Sequence, residues 1–300
     1  MKILITIFLL GLLACSPKVA DVFPVDDDAY QQEILDWQIS RNRDIKSPKG
    51  WLTLVGLHWL QEGRNVIGSD PNSDVVFPDI AAKKVGDLYL NKGELYFKAF
   101  GESYISKNNK GFREGAMFSD ASRVPTELSY KSLYFYVIRR GIKFGLRVKN
   151  TLAEKRFAFQ GIDCFDINKE YRYLAKVIHS GQMDSILIND ITGIQTRYRI
   201  ANILSFKEKG KTYELIAFDG GKDKYFIVFS DDTNGNETYS GGRFIYVDKP
   251  KPGSDQVLID FNKAHNPPCA FTDFATCPIP PIENYVGFKI EAGEKQIAHP

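Results

Sequence analysis

The stretch DLYLNKGELYFKAF, residues 87–100, decides the fold class of this chain. Apolar side chains alternate with polar ones on either side of Asn91-Lys92-Gly93, which is the pattern of two strands that each bury one face. The Asn-Lys-Gly step between the two runs is typical of a hairpin turn. We therefore predict an antiparallel β-hairpin over these residues.

Runs of the same kind continue in both directions from the hairpin. Each run is about five to eight residues long and ends near Gly, Asn, Asp or Pro. The chain also contains 21 Phe and 15 Tyr, residue types that favour strands. The runs include WLTLVGLHWL and DVVFPD before the hairpin, and SLYFYVIRR, KFGLRVKN, KYFIVFSDD and GRFIYVDKP after it. We predict a mainly β protein, folded as an antiparallel β-sandwich or barrel.

One segment near the start departs from this pattern. Between about residues 28 and 45, apolar side chains recur near helical spacing at Tyr30, Ile34, Trp37 and Ile39. The acidic residues at 26–28 suit the first turn of a helix, because the helix dipole is positive there. The sequence therefore predicts one N-terminal amphipathic helix.

The first residues indicate an exported protein. A short charged start precedes an apolar run over residues 3–13, which is too short to span a bilayer as a permanent helix. The tetrapeptide LLAC, which ends at Cys15, resembles a bacterial lipobox and implies cleavage before Cys15 and lipid attachment to its thiol. We expect a signal peptide over residues 1–14 and a tether over 15–28. The lipid would hold the body at a membrane of the cell envelope, expected to be the outer membrane, in the periplasm or at the cell surface.

The remaining sequence reads as two β-rich blocks. We predict that residues 29–120 form the helix and a small sandwich-like region, and that residues 121–300 form a C-terminal β-rich domain. The sequence SDASRVPTE predicts a boundary near residues 119–127, and the alternative is that the two blocks form one continuous sandwich. The C-terminal block contains a proline-rich loop over residues 260–284.

Composition and motifs narrow the possible functions. Lys and Arg total 39 against 37 Asp and Glu, so no excess of positive charge points to nucleic acid. The sequence contains no GxSxG, no HExxH and no glycine-rich phosphate loop. We therefore expect no nucleic-acid partner and assign no metal site, and the sequence identifies no cofactor.

Three long motifs carry a family resemblance. GWLTLVGLHWLQEGRNVIGSD, FDGGKDKYFIVFSDDTNGNETYSGGRF and VLIDFNKAHNPPCAFTDFATCPIPPIEN resemble the bacterial domain-of-unknown-function family 1684 over about residues 35–295. The resemblance does not point to a particular activity. The chain departs from the family at GIDCF, where Cys164 replaces an aromatic residue, and we expect Cys164 to be a buried thiol that fills this space.

A second resemblance concerns residues 63–90. GRNVIGSDPNSDVVFPDIAAKKVGDLYL resembles a forkhead-associated domain, a β-sandwich that reads phosphothreonine. The phosphate-reading positions of that family are not matched, because Ser69 follows Gly68 and residues 81–84 are Ala-Ala-Lys-Lys. The resemblance therefore implies a shared scaffold and no phosphothreonine recognition.

The proline-rich loop is the best candidate site. Five prolines between residues 267 and 281 exclude a helix or an inner strand, and a loop of this length is uncommon unless it is functional or pinned in place. It contains three candidate polar groups, Asp260, Asn262 and His265, and the thiol of Cys269. The alternative is a rigid structural cover.

The two cysteines of the loop and an arginine that precedes it allow several roles. Three roles are open to Cys269 and Cys277. They are a disulfide, two free structural thiols, and metal binding or catalysis. Arg243 lies in a Gly-Gly-Arg step, and it either holds a ligand anion or pairs with Asp248 or Glu237.

Two functions of different classes remain. The first is an envelope lipoprotein that binds a small molecule, a glycan or a protein partner. The second is a hydrolase that uses the proline-rich loop together with Arg243, Asp219 and Glu237. Convergence of Arg243 and the loop side chains on one pocket would favour the hydrolase.

Overall fold

The computed structural model describes residues 26–181 and 184–297. Within this part, the chain is mainly β, with antiparallel sheets and one N-terminal helix, so the predicted fold class is confirmed. The predicted signal peptide, the lipid-attachment site Cys15 and most of the tether lie outside the described residues. They stay predictions.

Helix α1 spans Asp27–Ile45, close to its predicted position. The carboxylate of Asp26 accepts hydrogen bonds from the backbone N–H groups of Asp28 and Ala29, both at 3.1 Å, and so caps the first turn. Tyr30 and Ile34 bury the inner face of the helix against the body. No helix among the described residues is long and apolar enough to cross a membrane.

Two sheets form the first β-sandwich. One contains β1 (Leu54–Trp59), β6 (Ser106–Lys107), β7 (Lys110–Gly111), β9 (Glu127–Tyr130), β10 (Leu133–Arg140) and β11 (Lys143–Asn150), in the order β1-β11-β10-β9-β6-β7. The other contains β2 (Gly63–Gly68), β3 (Val75–Val76), β4 (Gly86–Asn91), β5 (Glu94–Ala99) and β8 (Glu114–Met117), in the order β3-β2-β4-β5-β8.

The hairpin predicted over residues 87–100 is confirmed as β4 and β5. The two strands pair antiparallel from Gly86 opposite Ala99 to Asn91 opposite Glu94. Gly93 has a φ of 88° in the turn, a conformation that glycine adopts without steric cost. Alternate residues of this hairpin and of the facing sheet share one core, which includes Leu88, Phe97 and Phe135.

A third sheet, with eight strands, bends into a nearly closed barrel. Its strands are β12 (Arg172–Ile178), β13 (Ser185–Asn189), β14 (Gln195–Glu208), β15 (Lys211–Asp219), β16 (Lys224–Asp231), β17 (Arg243–Asp248), β18 (Gln256–Asp260) and β19 (Tyr285–Val286). The order is β17-β16-β15-β14-β12-β18, and β17 and β18 lie next to each other at the open seam. Aromatic and β-branched side chains fill the interior, among them Phe206, Phe229 and Phe261.

Two features of the fold lie outside the sheets. The short helix α2, Glu154–Ala158, follows the first sandwich. The proline-rich loop contains three 3₁₀ turns instead of strands, at Phe261–Lys263, Pro268–Ala270 and Ile282–Asn284.

The core of the first sandwich contains residues from Ile67 to Val148, on both sides of the boundary expected near residues 119–127. The division of the chain there into two domains stays a prediction.

Candidate functional site

Asp260 and Asn262 lie together where β18 meets helix α1. The phenol of Tyr30 donates to the Asp260 carboxylate at 2.9 Å, and Asn262 Nδ2 donates to the same carboxylate at 3.0 Å. Asn262 also binds the backbone of Asn168 through both ends of its amide. Arg172 lies 3.8 Å from the carboxylate. These groups therefore bond one another in the interior, and they fasten the helix to the barrel.

Arg243 is fully buried and is held from several sides. Its guanidinium donates to the Asp231 carboxylate at 2.7 Å and to the carbonyl oxygens of Ala292 and Ile290 at 2.5 and 2.9 Å. Burial lowers the pKa of Arg243, and the Asp231 carboxylate opposes this effect. The pairing with Asp248 or Glu237 considered from the sequence is not present.

Asp231 itself is bonded within the turn that follows β16. One of its carboxylate oxygens accepts from the N–H and the hydroxyl of Thr233, at 2.8 and 2.6 Å. The backbone N–H of Ile290 donates to the same oxygen at 3.2 Å. The ion pair therefore joins strand β17, the turn after β16 and the C-terminal segment.

A further buried carboxylate, which the sequence did not single out, lies near this ion pair. Glu294 accepts from Arg41 Nε at 2.9 Å and from the backbone N–H of Asn266 at 2.7 Å. Burial raises the pKa of Glu294, and Arg41 acts against the rise. Arg41 also donates to the carbonyl of Asn266 at 2.8 Å, so it ties helix α1 to the proline-rich loop.

We call these buried groups the polar interior. They share burial from solvent and bonding to one another or to the backbone, and they comprise Asp231, Arg243, Asp260, Asn262, Asn266 and Glu294.

His265 is packed among aromatic rings at the edge of the polar interior. Its ring stacks on Tyr246 at 5.9 Å between centroids with an interplanar angle of 9°, and Trp37 lies 6.1 Å away. Nδ1 lies 3.1 Å from the carbonyl oxygen of Lys263. Burial, helped by the charge of Arg41, lowers the pKa of His265 to about 3, so the ring is neutral at physiological pH.

The cysteines of the proline-rich loop form a disulfide. Cys269 and Cys277 are bonded, with their Cα atoms 6.1 Å apart, and both are buried. Cys164 is a free thiol and half-buried. Burial, together with nearby carboxylates, raises the pKa of Cys164 to about 12. Its thiol is therefore protonated, and protonated thiols are poor nucleophiles.

The two acids assigned to the hydrolase hypothesis pair with lysines, and Asp219 is exposed whereas Glu237 is half-buried. Asp219 pairs with Lys249 at 2.9 Å, and Glu237 pairs with Lys289 at 2.6 Å. Neither pairs with Arg243. Among the described residues, no three His, Cys, Asp or Glu side chains lie together in a way that could hold a metal ion.

An open cavity of about 740 Å³ lies elsewhere, beside the end of helix α1. We call the segment of residues 154–163, which lines one side of the cavity except at Arg156 and Phe157, the cavity wall. Its apolar lining comprises Leu52, Ala158, Phe159, Ile162, Ala270, Phe271 and Ile297, and its polar lining comprises Asn42, Glu154, Lys155, Gln160, Asp163 and Gln296. The cavity is not lined by any of the five candidate site residues predicted from the sequence, which are Arg243, Asp260, Asn262, His265 and Cys269.

Local structure holds the cavity wall in place. Asn42 Oδ1 accepts from the backbone N–H of Ile162 at 3.0 Å, and Lys46 donates to the carbonyl of Phe159 at 3.1 Å. Gly161 between them has a φ of 133°, which a side chain would strain. The end of α1 thus fixes the wall, and Leu52 and Phe271 belong to the small core beneath it.

The sequence contained only a weak signal for this cavity. AEKRFAFQGID places two phenylalanines beside a glycine between two β-rich blocks, but it carries no catalytic or ligand-binding motif. The apolar floor combines residues about a hundred or more positions apart, such as Leu52, Phe159 and Phe271. Only the folded chain brings these residues together.

Comparison with known proteins gives one family match. Residues 157–295 match the family described as "Protein of unknown function (DUF1684)". The match covers the cavity wall from Phe157 onward, the barrel and the proline-rich loop. No curated protein matches the chain.

Solved structures add two kinds of likeness. An uncharacterized protein from Haloarcula marismortui, solved by NMR, is 32% identical, covers 47% of this chain and 78% of its own, and has a TM-score of 0.39. An FHA domain of the CT664 protein from Chlamydia trachomatis is 13% identical, covers 31% of this chain and 93% of its own, and has a TM-score of 0.22.

Proposed function

We propose that this chain, whose residues 157–295 belong to the DUF1684 family of proteins of unknown function, is a binding protein for a small, largely apolar molecule. The cavity beside α1 carries the proposal. Its volume of about 740 Å³ lies in the range of small-molecule sites, about 300–1,000 Å³. Its apolar floor and polar rim would bury the body of such a molecule and orient one polar end.

The state of the polar interior supports binding over hydrolysis. Asp260 and Asn262 bond each other and Tyr30, and Arg243 bonds Asp231. A hydrolytic site needs a nucleophile or a base within hydrogen-bond reach of a bound substrate. These side chains are buried and already bonded, and they do not line the cavity.

The N-terminal sequence supports a place at the envelope. We propose that Cys15 carries a lipid, as the lipobox resemblance implies, and that the tether expected over residues 15–28 links this lipid to the body. A protein held at a membrane would meet apolar molecules that partition into the bilayer. Mass spectrometry of the N-terminal peptide tests this part of the proposal, with Cys15→Ser as the control that cannot be lipidated.

A fluorescence titration tests binding to the cavity. The probe is N-phenyl-1-naphthylamine, a neutral apolar dye that brightens when it leaves water. Phe159→Ser removes an aromatic side chain from the cavity, whereas the matched Phe157→Ser changes an exposed phenylalanine outside the lining. Loss of one such contact is worth about 1.5–3 kcal/mol, so we expect at least tenfold weaker binding for Phe159→Ser and no change for Phe157→Ser.

A second matched pair of variants controls for an indirect effect of the first pair. Ile297→Glu places a charge in the cavity lining, and Ile282→Glu places the same charge at a site that is 81% exposed. We expect only Ile297→Glu to weaken the binding of the dye. Equal affinity in all four variants, with circular dichroism showing that each is folded, would refute the proposed site.

A further inference from the structure

A second, smaller cavity lies between the two β units, away from the apolar cavity. Its volume is about 230 Å³. Arg139 and Arg140 reach it from the turn between β10 and β11, Asp190 and Tyr198 from the hairpin of β13 and β14, and Thr276 from the disulfide loop. Three distant segments of the chain therefore converge on one small space.

Asp190 has an oxygen that the protein leaves without a partner. The residue is buried, with only 6% of its surface exposed. Oδ1 accepts three hydrogen bonds, from the N–H and hydroxyl of Thr192 and from the N–H of Ile194. Oδ2 is buried and has no partner among the described residues. A buried carboxylate oxygen without a donor is costly, so this position favours a ligand that brings one.

Arg140, which also lines the cavity, has unused hydrogen-bonding capacity. Its Nε donates to the Thr276 hydroxyl at 2.9 Å, and Nη1 donates to Asp120 at 2.8 Å and to the carbonyl of Arg139 at 2.7 Å. Nη2 makes no hydrogen bond with any residue that the structure describes. It remains available to an acceptor, and a carboxylate is the acceptor that a guanidinium binds best.

The charges around the cavity select between ligand classes. A simple cation would face the guanidinium groups of Arg139 and Arg140, and a simple anion would face the carboxylate of Asp190. A molecule that carries an ammonium group and a carboxylate matches both sides. We propose that this cavity binds a small zwitterion of the α-amino acid type, with its ammonium group on Asp190 Oδ2 and its carboxylate on Arg140.

The volume limits the size of the ligand. A cavity of about 150 Å³ holds benzene, which has six heavy atoms. By that measure, the cavity of about 230 Å³ accepts roughly nine heavy atoms. Alanine and leucine fit within this limit, and Ile188 and Pro278 supply an apolar surface for a short side chain.

Isothermal titration calorimetry on the full, unmodified chain tests the charge requirement. L-alanine is compared with propionate, which lacks the ammonium group, and with ethylamine, which lacks the carboxylate. L-leucine is compared with 4-methylpentanoate and isopentylamine in the same way. We expect at least one amino acid to bind ten- to a hundredfold more tightly than both of its analogues, because each lost charged hydrogen bond costs about 1.5–3 kcal/mol.

Other outcomes of this comparison overturn the proposal. A carboxylate analogue that binds as well as its amino acid would make the cavity a plain anion site. An amine that binds equally well would make it a cation site. No binding by any of the six compounds would leave a cavity that holds only water.

A matched pair of variants locates the binding. Asp190→Asn keeps an Oδ1 acceptor for the turn but replaces Oδ2 by an N–H donor, so we expect at least tenfold weaker amino-acid binding. Asp184→Asn changes an exposed carboxylate at the start of the same hairpin and should leave affinity within twofold. Equal effects of the two substitutions would place the ligand elsewhere. If Asp190→Asn does not fold, the comparison of analogues on the unmodified chain still decides.

Discussion

The polar interior and the cavity wall differ in how their side chains are used. Side chains of the polar interior are buried and bonded, as with Arg243 on Asp231 and Glu294 on Arg41. The cavity wall, residues 154–163, has no residue that is both polar and buried, and its apolar side chains are only partly covered. A dense set of polar residues in the sequence therefore marked groups that bond one another, while the open site was formed by ordinary apolar residues.

Breaking the central ion pair should have the largest effect. Asp231→Ala leaves the guanidinium of Arg243 buried without a carboxylate, and such losses cost about 3–5 kcal/mol. We expect that reduction in the free energy of unfolding, measured by urea denaturation. Asp248→Ala removes an exposed partner of Lys224 and should cost less than about 1 kcal/mol. A similar cost for both variants would mean that the polar interior is not structural.

The disulfide tests the same idea in the proline-rich loop. It closes a loop with a sequence separation of 8, and removal of such a bridge costs about 2–3 kcal/mol through the gain in unfolded-state entropy. The double variant Cys269→Ala, Cys277→Ala should lose this amount in thermal or urea unfolding. It should keep its affinity for the apolar dye. Cys164→Ala serves as the control for the loss of a thiol without loss of a bridge.

The pH dependence of stability should report on His265. Its pKa is about 3 in the folded protein against 6.5 in the unfolded chain, so the unfolded state binds more protons between these values. The stabilisation is present above pH 6.5 and is lost as the pH falls toward 3. From pH 7 to pH 5, we expect a loss of about 2 kcal/mol that disappears in His265→Gln.

The control for this pH effect is a histidine at the surface. His179 is exposed, so His179→Gln should leave the acid sensitivity of the protein unchanged. Both variants are compared with the unmodified chain at each pH, because the other titrating groups are then shared. Equal acid sensitivity in all three proteins would contradict the burial of a neutral His265.

Local sequence patterns predicted the β architecture and the helix well. The alternation around Asn91-Lys92-Gly93 depends on neighbouring residues, and the structure pairs these strands as expected. The helix over residues 27–45 was likewise marked by acids in its first turn and by the spacing of Tyr30 and Ile34. Such patterns are local, so one sequence is enough to read them.

The arrangement of the polar groups could not be predicted in the same way. Arg243 was expected to meet a ligand, Asp248 or Glu237, but it meets Asp231 and the carbonyls at 290 and 292. These contacts depend on how the barrel closes and where the C-terminal segment returns. Spacing along the chain does not contain that information. The cavity was missed for the same reason, because its floor combines segments that are distant in sequence.

The smallest expected effect sharpens the contrast at the cavity wall. Gln160 is exposed at the rim and, within the described part of the chain, donates a hydrogen bond only to the carbonyl of Ala158 at 3.0 Å. Gln160→Ala should therefore change the free energy of unfolding by no more than about 0.5 kcal/mol in urea denaturation. Asn262→Ala is the counterpart in the polar interior and should cost several times more, because it leaves buried partners unbonded. If the two substitutions cost the same, the side chains of the cavity wall would be bonded as firmly as those of the polar interior. The cavity wall would then not be open to a ligand.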